Sequence, residues 1–431
     1  MVGKKWKPSY LSGPQKTKAL NVDTNKGNDA GAKKSKKRQE LSTKGDRSFH
    51  PNIMYCTNSS YASTSVLADV VESLIGAAYI HGGLDLGYEC AKFFDLGLKW
   101  APMSTRINTL LSRVESADSY PKQLSYVERM LGYTFKRKLL LIEALTHASY
   151  EQNLHTPSYE RMEFLGDSVL DMVITDFLYR APGKNYSPGH IYLRKAAMVN
   201  AHILAYICLR CCIGINAAMP GPNGEGNISV QPQTHTVYLW QCLLHSSPRV
   251  LDDQTKTFAR YRLRHAEIEE ALNNWTIFPW AQLTRMQAPK FFSDMVEALL
   301  GVVYLDSEGD MGVVRDVMRN LGIMQIMERI VDKDIDVLHP VSRLALWAAR
   351  HDKELKYDYE KSKGEVTCAI LVNGWEEVKC TTIHHGRASQ EEVRLLAAEK
   401  AIQSFNLRDD IDMNYMSTKR KKTSGMMISR G

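Results

Sequence analysis

The chain has 431 residues, of which 44% are hydrophobic, so it is long enough for two or three domains with buried cores and is not disordered throughout. Its formal charge is +7, but the first 50 residues hold 13 Lys and Arg against 4 Asp and Glu, and the remainder holds 42 against 44. Because the excess belongs to one tail, charge alone is a weak argument for a nucleic-acid partner.

The eight cysteines are scattered and no secretory signal precedes them, which predicts reduced thiols in an intracellular protein, cytoplasmic or nuclear. Cys208, Cys211 and Cys212 lie in an apolar stretch without a second ligand pair at zinc spacing. We therefore expect buried small side chains there and not a metal site. No uninterrupted apolar run reaches membrane-spanning length, which predicts a soluble protein without a membrane partner.

Both ends of the chain have the composition of basic tails. Residues 1–62 are rich in Lys, Gly, Ser, Asn and Thr and show no hydrophobic period, which predicts a disordered tail or insert. Residues 408–431 end in a second basic cluster around Lys419 to Lys422. These clusters either contact phosphates, act as nuclear targeting signals, or only keep the chain soluble.

The first folded segment covers residues 63–118. Apolar residues recur at helical spacing from Ser63, pause at Gly82 and Gly83, and resume, and a further helix is predicted from Ile107 to Val114. Asp69 and Glu72 lie three residues apart in this segment, which places them on one face of the first helix.

The second segment, residues 121–330, is predicted to be mostly helical. Short helices at Tyr126–Leu131 and Lys138–Leu145 precede a long helix from Glu160 to about Tyr179, and Ile191 to Ile213 is also helical in pattern. We expect an insertion at about 219–288, with a loop at Pro220–Arg249 and a charged helix at Arg260–Leu272.

The long helix carries Glu163 and Asp167, four residues apart and therefore on one face. Taken alone, such a pair is more often a solvated acidic face.

The pattern of the first segment returns at Phe291. Aligning Asp69 with Asp294 gives eight identities across nineteen residues, including Glu72 with Glu297. This repetition predicts two copies of one module.

Residues 337–407 are predicted to form a small α+β domain. A helix at His339–Asp352 is followed by strands at Lys356–Glu360, Glu365–Val372 and Glu376–His384, and a final helix begins at Ser389. The turn between the last two strands is predicted at Asn373-Gly374.

An apolar surrounding makes an unpaired carboxylate costly, so a repeated Asp and Glu pair inside apolar stretches favours a bound cation. If the two acidic helices face each other, four oxygen donors converge without His or Cys. That donor set selects Mg²⁺ or Mn²⁺ over zinc, and it suits attack of water on a phosphodiester. The four residues are Glu163, Asp167, Asp294 and Glu297.

The segment from Glu160 to Leu170 resembles the signature of the ribonuclease III family, and Leu145 to Tyr150 is similar to that family's lead-in. The resemblance implies one Mg²⁺ site that cuts one strand of double-stranded RNA, with a lysine near the scissile phosphate. The implied ligands are Glu163, Asp167, Asp294 and Glu297, and the implied lysine is Lys290.

Two such modules followed by an α+β domain are similar to the C-terminal half of the Dicer enzymes, and the insertions resemble those of fungal Dicer-like proteins. The implied fold is mainly α: one partial and one complete ribonuclease III helical domain, plus a small α+β domain. The implied activity is cleavage of double-stranded RNA into small RNAs with short 3′ overhangs, as in RNA silencing.

The first module lacks a counterpart of Glu163 and Asp167, so Asp69 and Glu72 lack two metal ligands. Either the chain is an N-terminally truncated piece of a larger enzyme, which we favour, or another polypeptide supplies the missing helices. We expect the chain to nick one strand unless two copies associate through their ribonuclease III domains.

The C-terminal domain resembles a double-stranded RNA-binding domain in the order of its elements. Such domains hold phosphates with lysines at the start of the last helix. Here that place reads Gln390, Glu391 and Glu392, with Arg394 and Lys400 as the nearby cations, so either RNA binding or a protein-contacting role is open.

The leading hypothesis is a Mg²⁺-dependent endoribonuclease acting on double-stranded RNA. The alternatives are a non-catalytic scaffold of the same fold, which would be expected to lose its ligand carboxylates, and a Mg²⁺-dependent phosphohydrolase of small nucleotides. The latter is disfavoured because no glycine-rich phosphate loop is found.

Overall fold

The computed structural model describes residues 64–97, 101–112, 120–151, 157–222, 228–362, 364–383 and 387–407. The basic tails expected over 1–62 and 408–431 lie outside these residues. The chain divides into one unit that ends at Leu96 and a second that begins at Gly97. No helix within the described ranges combines the length and apolar character that crossing a bilayer requires.

The first unit contains one described helix, α1 (Thr64–Phe93), which is interrupted at Gly82 and Gly83. Gly83 has a φ of 73°, in the left-handed region that glycine enters without steric cost. The backbone is non-helical at both glycines, so the two helical patterns expected on either side of this pair correspond to two helical segments separated by a kink.

The second unit begins with a helical domain, defined here as α2 to α12. Its elements are α2 (Met103–Leu111), α3 (Gln123–Leu131), α4 (Lys138–Leu145), α5 (Glu160–Tyr179), α6 (Pro188–Met198), α7 (Ala201–Arg210), β1 (Cys212–Pro222), β2 (Ile228–Tyr238), α8 (Pro248–Asn274), α9 (Trp280–Thr284), α10 (Phe291–Asp306), α11 (Met311–Asn320) and α12 (Ile323–Asp332).

Helix α10 is the centre of this domain, since all 16 of its residues are buried. It contacts α5 so closely that the two backbones touch at Gly166 and Gly301. A Cβ atom at Gly166 would overlap the carbonyl oxygen of Glu297, and one at Gly301 would overlap the carbonyl oxygen of Met162. Only glycine at both positions permits this approach, which brings the acidic faces of α5 and α10 together.

The end of α10 is fixed by a fully buried carboxylate. Asp306 accepts hydrogen bonds from the Tyr133 hydroxyl at 2.8 Å and from the backbone amides of Lys136 and Arg137 at 2.8 and 3.0 Å. These bonds compensate its desolvation and tie the connection between α3 and α4 to the central helix.

Two of the expected elements were wrong. The predicted loop at Pro220–Arg249 contains β2 and the end of β1, which pair antiparallel from Cys212 opposite Tyr238 to Pro222 opposite Ile228. Such a ribbon is stabilised by pairing between the two strands and not by either strand alone. Because glycine and proline near its tip are typical of loops, the local sequence pattern did not predict the strands. The predicted helix from Ile191 to Ile213 is divided, because the Asn200 side chain caps α7 by accepting from the amides of His202 and Ile203.

The domain boundaries expected from the sequence also differ from the boundaries that the hydrophobic cores define. Ile107 and Leu111 of α2 are buried in the core of the helical domain, although the sequence placed residues 63–118 in the first module. The segment expected as an insertion contributes to that core as well, through Ile268 of α8 and Leu283 of α9. Hydrophobic period predicts that a helix buries one face but does not identify the core that receives it.

The C-terminal domain has the predicted order. It consists of α13 (Pro340–Arg350), β3 (Leu355–Ser362), β4 (Glu365–Val372), β5 (Trp375–Ile383) and α14 (Arg387–Ser404). The strands form an antiparallel sheet in the order β3-β4-β5, and the turn at Asn373-Gly374 has positive φ at both residues. A separate cluster that includes Leu344, Ile370 and Val393 forms its core.

The first turns of α14 contact the helical domain. Glu391 lies 3.3 Å from Nε2 of His202, and the buried Glu392 accepts a hydrogen bond from the side chain of Gln287. The ring of His339, just before α13, packs on Trp280 with ring centroids 4.8 Å apart. The two domains are therefore joined by polar as well as aromatic contacts.

We expect Gly301→Ala to lower the free energy of unfolding by about 2 kcal/mol, because the methyl group forces apart two packed backbones. The matched control is Gly76→Ala, at the equivalent position of the sequence repeat, where a Cβ meets no described atom within 4 Å. That change should be neutral or stabilising, since alanine favours the helix. Denaturant unfolding of both variants measures the difference, and equal effects would contradict the close crossing.

Burial lowers the pKa of His339 to about 4. The unfolded chain binds this proton below about pH 6.5, so the stabilising effect of neutral His339 is complete above that pH and declines as the pH falls toward 4. Between pH 7.5 and 5.5, the wild type should lose about 1 kcal/mol more unfolding free energy than His339→Gln. Denaturant titrations of both proteins at the two pH values test this, and parallel losses would show that His339 does not contribute.

Candidate metal centre

The candidate site lies where the first turns of α5 and α10 face each other. The first turn of α5 carries Glu163, the first turn of α10 carries Asp294, and Glu297 follows three residues later. Unsatisfied backbone amides give a helix start a partial positive charge, which favours carboxylates at both places.

Three carboxylates meet at this point. Glu163, Asp294 and Glu297 each offer an oxygen atom, and these atoms lie within 4.8 Å of one another. Asp294 and Glu297 are only 6% and 8% exposed, and Glu163 is half-buried. Three clustered hard oxygen donors without His or Cys suit a cation such as Mg²⁺, Mn²⁺ or Ca²⁺.

Asp167 lies beside this group and not in it. It is on α5, four residues after Glu163, and its side chain is exposed. It is nevertheless close enough for its negative charge to raise the pKa of Glu297. The structure thus brings together three of the four carboxylates that the sequence singled out and places the fourth at the edge.

The cluster holds more negative charge than its surroundings neutralise. Burial, together with repulsion from Asp167 and Asp294, raises the pKa of Glu297 to about 8. Burial also raises the pKa of Asp294, although its hydrogen bond from Lys290 opposes the shift. Although Asp167 is exposed, partial desolvation by the neighbouring residues and the charges of Asp171 and Glu163 raise its pKa as well. A bound cation would relieve this repulsion.

Lys290 supplies a positive charge to the cluster. Its ammonium group donates to Glu163 at 2.7 Å and also to Asp294, so it lies between carboxylates from the two helices. Burial lowers the pKa of Lys290, but the bonds to Asp294 and Glu163 outweigh it and the pKa is raised. The side chain remains 55% exposed, so it can turn toward a ligand in solvent.

Tyr159 is a residue of the site that the sequence did not single out. Its buried hydroxyl donates to Oδ2 of Asp294 at 3.4 Å, and burial, followed by the charge of Asp294, raises its pKa, so the phenol stays protonated. Tyr159 lies four residues before Glu163, at same-face spacing, which was the available signal.

The remaining expected site residues lie elsewhere. Asp69 and Glu72 are exposed on α1, and no group of three potential ligands involves them among the residues that the structure describes. Arg394 stacks over the ring of Tyr357 with 4.7 Å to the centroid, and Lys400 is exposed on α14. The start of α14, for which the sequence left RNA binding and a protein-contacting role open, contacts the helical domain through Glu391 and Glu392.

The family model and the similar proteins found by comparison agree with each other. The ribonuclease III domain family matches residues 160–308, which include α5 and α10. A Dicer-like protein 2 of Coccidioides immitis is 34% identical over 352 residues, covering 80% of this chain and 24% of that protein. A Dicer-like protein 2 of Emericella nidulans is 38% identical over 304 residues, covering 65% and 20%.

The chain thus spans about a quarter or less of the length of these curated relatives. The solved nuclease domain of ribonuclease III from Campylobacter jejuni aligns with 48% of this chain and 96% of its own, at 24% identity and a TM-score of 0.26. The chain contains a ribonuclease III domain and is homologous to fungal Dicer-like proteins over 80% of its length.

Proposed function

We propose that this chain is a Mg²⁺- or Mn²⁺-dependent endoribonuclease that hydrolyses phosphodiester bonds of double-stranded RNA. The observation that supports this most strongly is the convergence of Glu163, Asp294 and Glu297 from two helices of a ribonuclease III domain. A scaffold that only binds RNA has no need for three carboxylates held in mutual repulsion, since their repulsion weakens the fold.

The residues fit a divalent cation by their chemistry. Their donors are all carboxylate oxygens, and burial leaves the carboxylates repelling one another, as the raised pKa of Glu297 indicates. Glu163, Asp294 and Glu297 would hold the ion directly, with Asp167 as a further ligand at the edge. Such an ion supplies positive charge to phosphate oxygens and makes water a better nucleophile at neutral pH.

The protein's own groups have distinct parts in this proposal. Asp294 and Glu297 are fixed because α10 is buried along its whole length, and Tyr159 orients Asp294 through its hydroxyl. Lys290 would leave its carboxylate partners and pair with the scissile phosphate, for which its half-exposed side chain has room.

We also propose the finer activity that the family resemblance implies, which is production of small RNAs with short 3′ overhangs in RNA silencing. The described residues contain one clustered carboxylate site, and under this proposal one such site would cut one strand. Cutting the second strand requires a second site. Self-association of two copies, or helices from another polypeptide that complete Asp69 and Glu72, would supply it.

We expect Asp294→Asn and Glu163→Gln each to slow Mg²⁺-dependent cleavage of duplex RNA by about 10³-fold, because each removes a charged ligand from the cation. The matched control is Asp316→Asn, which changes an exposed carboxylate on α11. Single-turnover cleavage of end-labelled duplex measures the rates, and thermal unfolding verifies the fold. Wild-type cleavage rates in either site variant would refute the ligand assignment.

Lys290→Ala should have opposite effects on metal binding and on cleavage. Removal of the competing ammonium group should tighten Mn²⁺ binding by about fivefold, the upper range for a largely exposed ion pair. Cleavage at saturating metal should slow by about 10²-fold, since the phosphate loses a charged partner. Mn²⁺ titration followed by electron paramagnetic resonance, together with single-turnover rates, tests both. Weaker Mn²⁺ binding would argue against the position of Lys290 between the carboxylates.

A further inference from the structure

A buried polar contact links the C-terminal domain to the segment that carries Lys290. The side-chain amide of Gln287 donates to Glu392 of α14, and the two residues are only 8% and 5% exposed. Arg260 of α8 donates to the backbone carbonyls of Met286 and Gln287 at 3.3 and 3.5 Å. Two elements that are distant in sequence, α8 and α14, therefore hold the short segment at Met286 and Gln287.

That stretch leads directly to the carboxylate cluster. Gln287 has a φ of 47°, in the left-handed region that residues with side chains rarely adopt, so its conformation depends on what surrounds it. Pro289 restricts the backbone between it and Lys290. Lys290 in turn donates to Glu163 and Asp294. The segment is fixed at one end by Glu392 and at the other by the site.

We propose that Glu392 is a positioning residue for the nuclease site: it holds Gln287 in its left-handed conformation and thereby sets where Lys290 lies. The C-terminal domain then forms part of the framework of the catalytic centre. This inference rests on the proposed function for its effect on cleavage, but the structural coupling does not depend on catalysis.

The burial of Glu392 favours this role over a direct contact with RNA. A carboxylate that is 5% exposed and faces its own chain is both inaccessible to a phosphate backbone and repelled by it. Removal of Glu392 should therefore change the turnover rate and leave the apparent affinity for RNA almost unchanged.

The test compares four variants with the wild type in steady-state cleavage of duplex RNA. Glu392→Ala and Gln287→Ala should each lower kcat by about tenfold through misplacement of Lys290, with KM within about twofold. The double variant should be no slower than either single one, because both remove the same contact. Glu392→Gln should restore most of the rate, since its amide oxygen still accepts from Gln287.

Glu391→Ala is the matched control, because this neighbouring residue contacts His202 and not the Lys290 segment. It should retain the wild-type kcat. If Glu391→Ala and Glu392→Ala lower kcat equally, or if Glu392→Ala raises only KM, the positioning role is overturned.

Hydrogen exchange of the backbone amides of residues 286–288 and 290–292 supplies a measurement that needs no activity. Exchange there should become faster in Glu392→Ala and stay unchanged in Glu391→Ala. Unchanged exchange in Glu392→Ala overturns the inference whatever the kinetics show. A wild type that fails to cleave RNA while exchange responds as expected would refute the proposed function and leave the coupling intact.

Discussion

The contact between α5 and α10 at Gly166 and Gly301 is the constraint on which the site depends. Side chains on packed helices ordinarily keep the helix axes well apart. Here the absence of Cβ atoms lets backbone meet backbone, so short carboxylate side chains from the two helices reach a common point. A wider separation would leave Glu163 on one surface and Asp294 on another.

The same contact explains how the chain tolerates a cluster of like charges. The repulsion that raises the pKa of Glu297 opposes folding locally. It is offset by the hydrophobic burial of α10, whose residues are all buried, and by Lys290, which bridges the two helices. Hydrophobic packing of α10 thus compensates an electrostatic repulsion among the carboxylates, which persists until a cation or a ligand neutralises their charge.

Much of the local structure was predictable, because it depends on neighbours in sequence. The bounds of α4, α5 and β4 agree with the prediction, and the repeat located Asp294 and Glu297 without knowledge of the fold. What failed depends on distant partners: the pairing of β1 with β2, and the core that receives α2. The exposure of Asp167 also depends on distant partners. Its spacing from Glu163 correctly predicts the helix face that it occupies, but not how deeply its side chain is buried.

The docking of α14 also bears on what counts as a domain in this chain. The C-terminal domain has its own hydrophobic core, and by that criterion it is a separate module. Yet Glu392 and Gln287 are buried where the two modules meet, so separating the modules would break the hydrogen bond between these side chains and expose both of them to water. A domain boundary at about residue 337 therefore separates two hydrophobic cores but crosses buried polar and aromatic contacts, which couple the stability of one module to the presence of the other.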